Sequence, residues 1–123
     1  MREKEYIMTQ VAVIHTAFEE TPRTVAFVEV GNINVLGEKE ALEYAYLKTN
    51  NIEGSWSMGP TINYDGQEYD NTDWSDDVTV MAALPISNIT KQPMGLRSTS
   101  TGDQLLIGNK KFKIAMCGFE EIL

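Results

Sequence analysis

Only one segment of this 123-residue chain has the spacing of an amphipathic helix, and it is too short to be stable alone. In residues 38–49 the apolar side chains fall on one stripe, with glutamates in the N-terminal half and Lys48 in the last turn, as the helix dipole favours. A helix of about three turns is marginal in water. The rest of the chain must therefore supply a sheet that covers the apolar stripe.

Several short runs rich in β-branched and apolar residues can form this sheet. The predicted strands are residues 6–15, 24–30, 78–84, 105–107 and 112–117. A polar turn joins the first two as an antiparallel hairpin, and a glycine-containing turn joins the last two. Because no strand–helix–strand alternation is present, we expect an α+β fold in a single domain over residues 1–123. Its core would be a mostly antiparallel β-sheet of about five strands with one α-helix packed on it.

The composition is that of an ordinary soluble domain. No apolar run approaches the roughly 18 residues of a membrane span, and the charged N-terminus lacks the apolar stretch of a signal peptide. We therefore expect a cytoplasmic protein that does not contact a membrane. The single cysteine, Cys117, excludes an internal disulfide, and its apolar neighbours predict a buried structural thiol.

Acidic residues are concentrated in one third of the chain. The formal net charge is −8, and the stretch from Thr49 to Thr90 contains no lysine or arginine. The charges outside this stretch nearly balance. Because binding to nucleic acid needs a basic face, we do not expect direct contact with nucleic acid.

The acidic stretch also contains aromatic residues, which makes it a candidate interface for a protein. Residues 53–77 predict an ordered loop or an irregular hairpin, because disordered segments are poor in aromatic residues. Tyrosine and tryptophan anchor interfaces, and charges steer the encounter. We therefore predict that this surface binds a basic partner protein. The predicted partner-binding residues are Asp65, Glu68, Tyr69, Asp70, Asp73, Trp74, Asp76 and Asp77.

Other roles for these acidic residues stay open. An EF-hand loop that starts at Asp73 fails, because Val78 stands where the loop needs glycine and Leu84 where it needs glutamate. The remaining interpretations are a solvated loop without a ligand, an adventitious cation site and a carboxylate pair for hydrolysis. The sequence singles out no pair of carboxylates for the last of these.

Residues 97–103, with the sequence RSTSTGD, form the second candidate site. Arg97 with Ser98, Thr99 and Ser100 is a hypothetical site for a small anionic ligand such as a nucleotide, because an arginine fork binds phosphate in a bidentate manner. The segment is not a Walker loop, since a strand follows it. In the alternative, structural interpretation, the hydroxyl groups bond to neighbouring backbone and Gly102 turns the chain into that strand.

Catalytic chemistry has little support in the sequence. His15 is the only histidine and Cys117 the only cysteine, so a zinc site with four nitrogen or sulfur ligands is excluded. A single histidine without an identified nucleophile does not define a catalytic triad. We therefore expect a non-enzymatic protein with no cofactor and no bound metal. Homo-oligomer formation stays open.

The C-terminal third, GLRSTSTGDQLLIGNKKFKIAMCGFEEI, resembles the YodL-type domain of small phage and mobile-element proteins. The residues that carry this resemblance are Arg97, Ser98, Ser100, Gly102, Asp103, Gly118 and Phe119. Residues 40–57 also resemble small tailed-phage proteins. The resemblance implies an accessory protein in the host cytoplasm that acts on host defence, and hence an inhibitor that binds a basic host protein. A role as a virion component is a less favoured hypothesis.

Overall fold

The sheet that the sequence predicts is present, and it extends over six strands. The computed structural model describes residues 9–123. Its strands are β1 (Thr9–His15), β2 (Arg23–Gly31), β3 (Thr61–Tyr64), β4 (Gln67–Asp70), β5 (Val78–Val80), β6 (Gln104–Ile107), β7 (Lys110–Ile114) and β8 (Phe119–Ile122). Its helices are α1 (Ile33–Leu36) and α2 (Glu38–Lys48). The main sheet has the order β5-β2-β1-β6-β7-β8 with antiparallel pairs throughout, and β3 and β4 form a separate two-stranded sheet.

The predicted α+β class is confirmed, but the sheet contains more strands than expected. Sequence patterning missed β8, which begins at Phe119 and pairs with β7. It also extended β5 too far, since that strand ends at Val80. β5 pairs with the middle of β2, and its last residue Val80 lies opposite Ala26, next to the point where the register of β1 against β2 shifts. Such a bulge interrupts the ladder. The predicted residues 6–8 of the first strand lie outside the described residues.

The core lies between one face of the sheet and α2. Ala41, Leu42 and Ala45 of the helix are buried and belong to the same apolar cluster as Val11 and Val13 of β1. The helix stripe predicted from the sequence is therefore the face that packs on the sheet. Burial of apolar surface of this kind is the main favourable contribution to folding.

A second layer of polar contacts joins the chain that follows α2 to residues 97–103. Trp56 is buried and donates a hydrogen bond from Nε1 to the carbonyl of Arg97 (2.9 Å). The amide of Thr99 donates to the carbonyl of Thr49 at the end of α2 (2.9 Å). Residues 97–99 are thus joined to the end of α2 and to the segment that follows it.

Cys117 is exposed, so the prediction of a buried thiol is wrong. The apolar string that suggested burial runs from Ile114 to Cys117, but β7 ends at Ile114, the first residue of that string. Met116 and Cys117 lie in the turn to β8 and face solvent. Apolar composition does not distinguish a turn from the strand beside it.

Candidate protein-binding surface

The two-stranded sheet of β3 and β4 is a β-hairpin, hereafter the acidic hairpin (residues 61–70). Asp65 and Gly66 form its two-residue turn between the paired residues Tyr64 and Gln67. Both turn residues have positive φ, 52° and 80°. This is the conformation of a type I′ turn, which suits the twist of the flanking strands and which Asp-Gly sequences favour.

The acidic hairpin has two chemically different faces, because residues opposite each other in an antiparallel pair share a face. The acidic face consists of Thr61, Asn63, Glu68 and Asp70. The aromatic face consists of Ile62, Tyr64, Gln67 and Tyr69. On the acidic face Thr61 Oγ1 donates to Glu68 Oε2 (3.2 Å), and on the aromatic face Tyr69 donates to Gln67 Oε1 (2.9 Å).

The side chains of the acidic hairpin face solvent. Every residue from 61 to 70 is exposed apart from Ile62, which is partly buried. Tyr64 is 72% exposed and Tyr69 is 50% exposed. Large apolar rings that are exposed together and rimmed by polar groups mark interaction surfaces.

Asn71 fixes the base of the acidic hairpin. Its side chain is buried, and its Oδ1 accepts from the amide of Ser55 (3.0 Å) while Nδ2 donates to the carbonyls of Ser55 (2.7 Å) and Gly59 (2.8 Å). Its own amide donates to the carbonyl of Pro60 (2.8 Å). A buried amide with several satisfied bonds specifies one arrangement of the chain. The hairpin is therefore held at its base, although it contributes little to the core.

Asp73, a predicted partner-binding residue, has an internal role. One oxygen of its carboxylate accepts hydrogen bonds from the amides of Ile52 (2.6 Å), Glu53 (3.0 Å) and Gly54 (2.7 Å). Burial raises the pKa of Asp73, but the three amide donors outweigh it and leave the pKa below its ordinary value. This carboxylate stabilises the turn after α2.

Asp77 likewise bonds within the chain. It accepts a hydrogen bond from the hydroxyl of Tyr44 on α2, and this bond raises the pKa of Tyr44 to about 12. Asp76 is exposed, and Trp74 is 44% exposed. Of the predicted partner-binding residues, those that face solvent are Asp65, Glu68, Tyr69, Asp70, Trp74 and Asp76.

Arg97 is surrounded by acceptors from the chain itself. Its guanidinium forms a fork with Asp103, through Nη1 to Oδ2 (2.7 Å) and Nη2 to Oδ1 (3.0 Å). The other donors bond to Glu19 (3.3 Å), to the carbonyl of Ser98 (3.0 Å) and to the carbonyl of Ala17. Because a guanidinium has five N–H donors, an anionic ligand at this position would have to displace one of these partners.

The hydroxyl residues after Arg97 are also engaged. Ser98 Oγ accepts from the amide of Asn51 (2.8 Å). Thr99 is buried, with Oγ1 at 3.0 Å from His15 Nε2. Ser100 donates its amide to Asp103 (2.8 Å). These contacts give residues 97–103 a structural role, and the anion-binding hypothesis stays a prediction.

His15 is fully buried in this network. Its ring stacks edge-on against Trp56, with 6.4 Å between the centroids, and among the described residues its Nδ1 has no hydrogen-bond partner. Burial lowers the pKa of His15 to about 4, in spite of the nearby carboxylate of Asp103. The imidazole is therefore neutral at physiological pH and serves packing.

Within residues 9–123, no three His, Cys, Asp or Glu side chains are grouped so as to hold a metal ion. In the same part of the chain, neither helix has the length and apolar content needed to cross a bilayer. Comparisons with protein-family models, curated proteins and solved structures found no significant match to this chain.

Sequence reasoning missed five residues on the two faces of the hairpin: Thr61, Ile62, Asn63, Tyr64 and Gln67. The signal for them is the Asp65-Gly66 dipeptide, which is typical of a two-residue hairpin turn. It aligns the residues before the turn against those after it, and so assigns each side chain to one of the two faces. Within the hairpin, acidic content alone pointed to the turn residue Asp65 and to the second strand, but to no residue of the first strand.

Proposed function

We propose that this protein is a non-enzymatic binder that blocks a basic surface of a host protein through its acidic hairpin and the turn with Trp74 and Asp76. The observation that carries the proposal is the exposure of an ordered hairpin that adds little to the protein's own core. A two-stranded sheet is marginally stable in isolation. Its retention beside a complete core favours a role in contact with another molecule.

The chemistry of the two faces suits a basic protein surface. Glu68 and Asp70 lie together on the acidic face, and Asp65 lies at the tip. Such charges raise the rate of encounter with a basic surface. Tyr64 and Tyr69 lie on the other face, and tyrosine side chains supply contact area at low cost in conformational entropy.

The phage origin and the host-cell cytoplasm belong to the proposal through the resemblance of residues 40–57 and 95–122 alone. This resemblance suggests the class of partner, a host defence protein. The acidic hairpin gives the chemistry of the contact. These two parts are tested separately.

The first experiment identifies the partner from the hairpin itself. A photo-crosslinking benzoylphenylalanine is placed at Tyr69, and in a matched control at Val35, an exposed residue of α1. We expect a basic host protein to be crosslinked from position 69 and not from position 35. Crosslinking of the same proteins from both positions would contradict a hairpin-specific contact.

The second experiment uses the purified partner and the hairpin variant, defined as Asp65→Asn, Glu68→Gln and Asp70→Asn. These three residues are exposed, and asparagine tolerates the left-handed backbone of residue 65. We expect an affinity loss of about tenfold or more and a weaker dependence of binding on salt. An unchanged affinity would exclude the acidic hairpin as the contact.

The alternative function, a nucleotide-binding protein that uses Arg97, has no observation in its favour beyond the residue types. Every guanidinium donor has a partner in the chain.

A further inference from the structure

The outer edge of β3 lies along a cleft. This cleft has a volume of about 560 Å³ and is lined by β3 on one side and by Thr90, Gln92 and Pro93 on the other. The opposite wall is a well-defined loop, in which Met94 donates its amide to Pro85 (2.7 Å) and Ser87 donates to Gln92 (2.9 Å). The cleft therefore runs between two ordered segments.

The register of the acidic hairpin determines which backbone groups point into the cleft. In a hairpin with a two-residue turn, Tyr64 and Gln67 form the hydrogen-bonded pair, and hydrogen bonding alternates along the strands. The bond from the amide of Asn71 to the carbonyl of Pro60 fits this alternation. The amide and carbonyl groups of Thr61 and Asn63 consequently point away from β4, toward the cleft.

These outward groups are unpaired in the described part of the chain. Outside the hairpin, none of the backbone hydrogen bonds within residues 9–123 involves Thr61 or Asn63. An edge of this kind is the template for the addition of a further strand. A third strand also provides what a two-stranded sheet lacks for independent stability.

We propose, on the basis of the proposed function, that an extended segment of the partner adds to β3 as a third strand in this cleft, and that basic and apolar residues alternate along it. Alternate side chains of an added strand would lie on the acidic face, next to Thr61 and Asn63 and one strand away from Glu68 and Asp70, a distance that a long lysine side chain can span. The intervening ones would lie on the aromatic face, beside Ile62 and Tyr64. The charges favour a basic segment, since Asp65 lines the cleft, Glu68 and Asp70 lie one strand behind it, and Lys91 is the one basic residue of the opposite loop.

The test uses the whole protein and a synthetic peptide of alternating lysine and valine. The peptide is about six residues long, the usual length of a strand. Two matched peptides carry N-methyl groups on all lysines or on all valines. Because only one set of amides in an added strand faces β3, we expect one methylated peptide to lose about tenfold or more in affinity while the other keeps its affinity. Chemical-shift changes should centre on the amides of Thr61 and Asn63.

Two variants test the same edge from the protein side. Asn63→Pro removes the outward amide, at an edge position where proline is tolerated, and Asn63→Ala keeps it. We expect the proline variant to lose the peptide and the alanine variant to bind it as the wild type does. The peptides keep the test decisive if the proline variant alters the hairpin.

Two results would overturn strand addition: no binding of the unmethylated peptide, or equal binding of all three peptides. Either result leaves the proposed function standing if the purified partner still loses affinity for the hairpin variant. If the partner binds the hairpin variant with the same affinity as the wild type, the proposed function itself fails. The two proposals therefore fail through different measurements.

Discussion

Asp103 collects hydrogen bonds from three parts of the chain, which makes a buried carboxylate tolerable at this position. It accepts from the amides of Thr16 (2.8 Å), Ala17 (2.9 Å) and Ser100 (2.8 Å), and from the guanidinium of Arg97. Burial raises the pKa of Asp103. The hydrogen-bond donors, Arg97 first among them, lower it by more and leave it below the ordinary value. The carboxylate is therefore charged, paired and structural.

Asp103→Asn should destabilise the protein strongly. It removes the charge that balances Arg97, and breaking a buried ion pair costs about 3 kcal/mol or more in the free energy of unfolding. Thr101→Ala, a change at an exposed residue of the same segment, should cost less than about 0.5 kcal/mol. Urea unfolding at neutral pH measures both. Equal stability of the two variants would contradict the structural role of Asp103.

Asp73 and Asp76 form a matched pair that separates structure from surface. Asp73→Ala leaves three amides without their acceptor, and we expect a loss of about 1–3 kcal/mol in the free energy of unfolding. Asp76→Ala alters an exposed side chain and should stay within about 0.5 kcal/mol of the wild type. Thermal or urea unfolding of the two variants measures both losses in the free energy of unfolding. A larger loss for Asp76→Ala would contradict these assignments.

His15 makes stability depend on pH. Its folded-state pKa of about 4 lies below the ordinary value of 6.5, so the unfolded chain binds a proton that the folded protein does not. Stability is therefore fully present above about pH 6.5 and falls as the pH drops toward 4, by about 3 kcal/mol. In His15→Gln this part of the pH dependence should disappear. Urea midpoints across that range measure it, and an unchanged slope in the variant would refute the assignment.

At the scale of elements, the acidic hairpin depends on its turn. Gly66 has a φ of 80°, and no atom lies within 4 Å of the position that a β-carbon would take there, so Gly66→Ala adds only backbone strain, about 1–2 kcal/mol. We expect faster hydrogen exchange in residues 61–70 and an unchanged midpoint for unfolding of the core. Gly59→Ala is the control, because Gly59 does not have a positive φ and no atom lies within 4 Å of the position that a β-carbon would take there. Equal exchange in both variants would contradict the role of the turn.

The elements that sequence patterning predicted are those in which one physical signal dominates. The stripe of α2 and the β-branched residues of β1 and β2 each point to burial on one face. β8 was missed because its residues Glu120 and Glu121 carry no apolar alternation, and an edge strand needs none on its exposed side. Its start is set by Phe119, whose ring packs on Tyr46 of α2 (6.3 Å between centroids).

The candidate site was predicted in part, and the rest depended on contacts that sequence does not reveal. Acidic and aromatic content located Asp65, Glu68, Tyr69 and Asp70, which the structure brings together on one hairpin. The same criterion also selected Asp73, because in the sequence an aspartate that accepts from three backbone amides cannot be told from one that faces solvent. Only the fold distinguishes these two uses of an acidic residue.

For the whole molecule, the core and the proposed binding surface lie in different parts. The six-stranded sheet and α2 form the core, and the acidic hairpin is held at its base by Asn71, which bonds to Ser55 and Gly59 in the loop after α2. Neutral substitutions on the hairpin should therefore change binding and leave the free energy of unfolding within about 0.5 kcal/mol of the wild type. This separation allows the interface to be tested without unfolding the protein.

The most direct test compares the hairpin variant with a control of identical net charge, Glu20→Gln, Glu43→Gln and Glu120→Gln, three exposed residues outside the hairpin. Both sets remove three negative charges, so a general effect of net charge is the same in each. Affinity for the purified crosslinked partner is measured by titration calorimetry at low salt. The proposed function predicts a loss of about tenfold or more for the hairpin variant and of less than about threefold for the control. Equal losses in the two variants would contradict it.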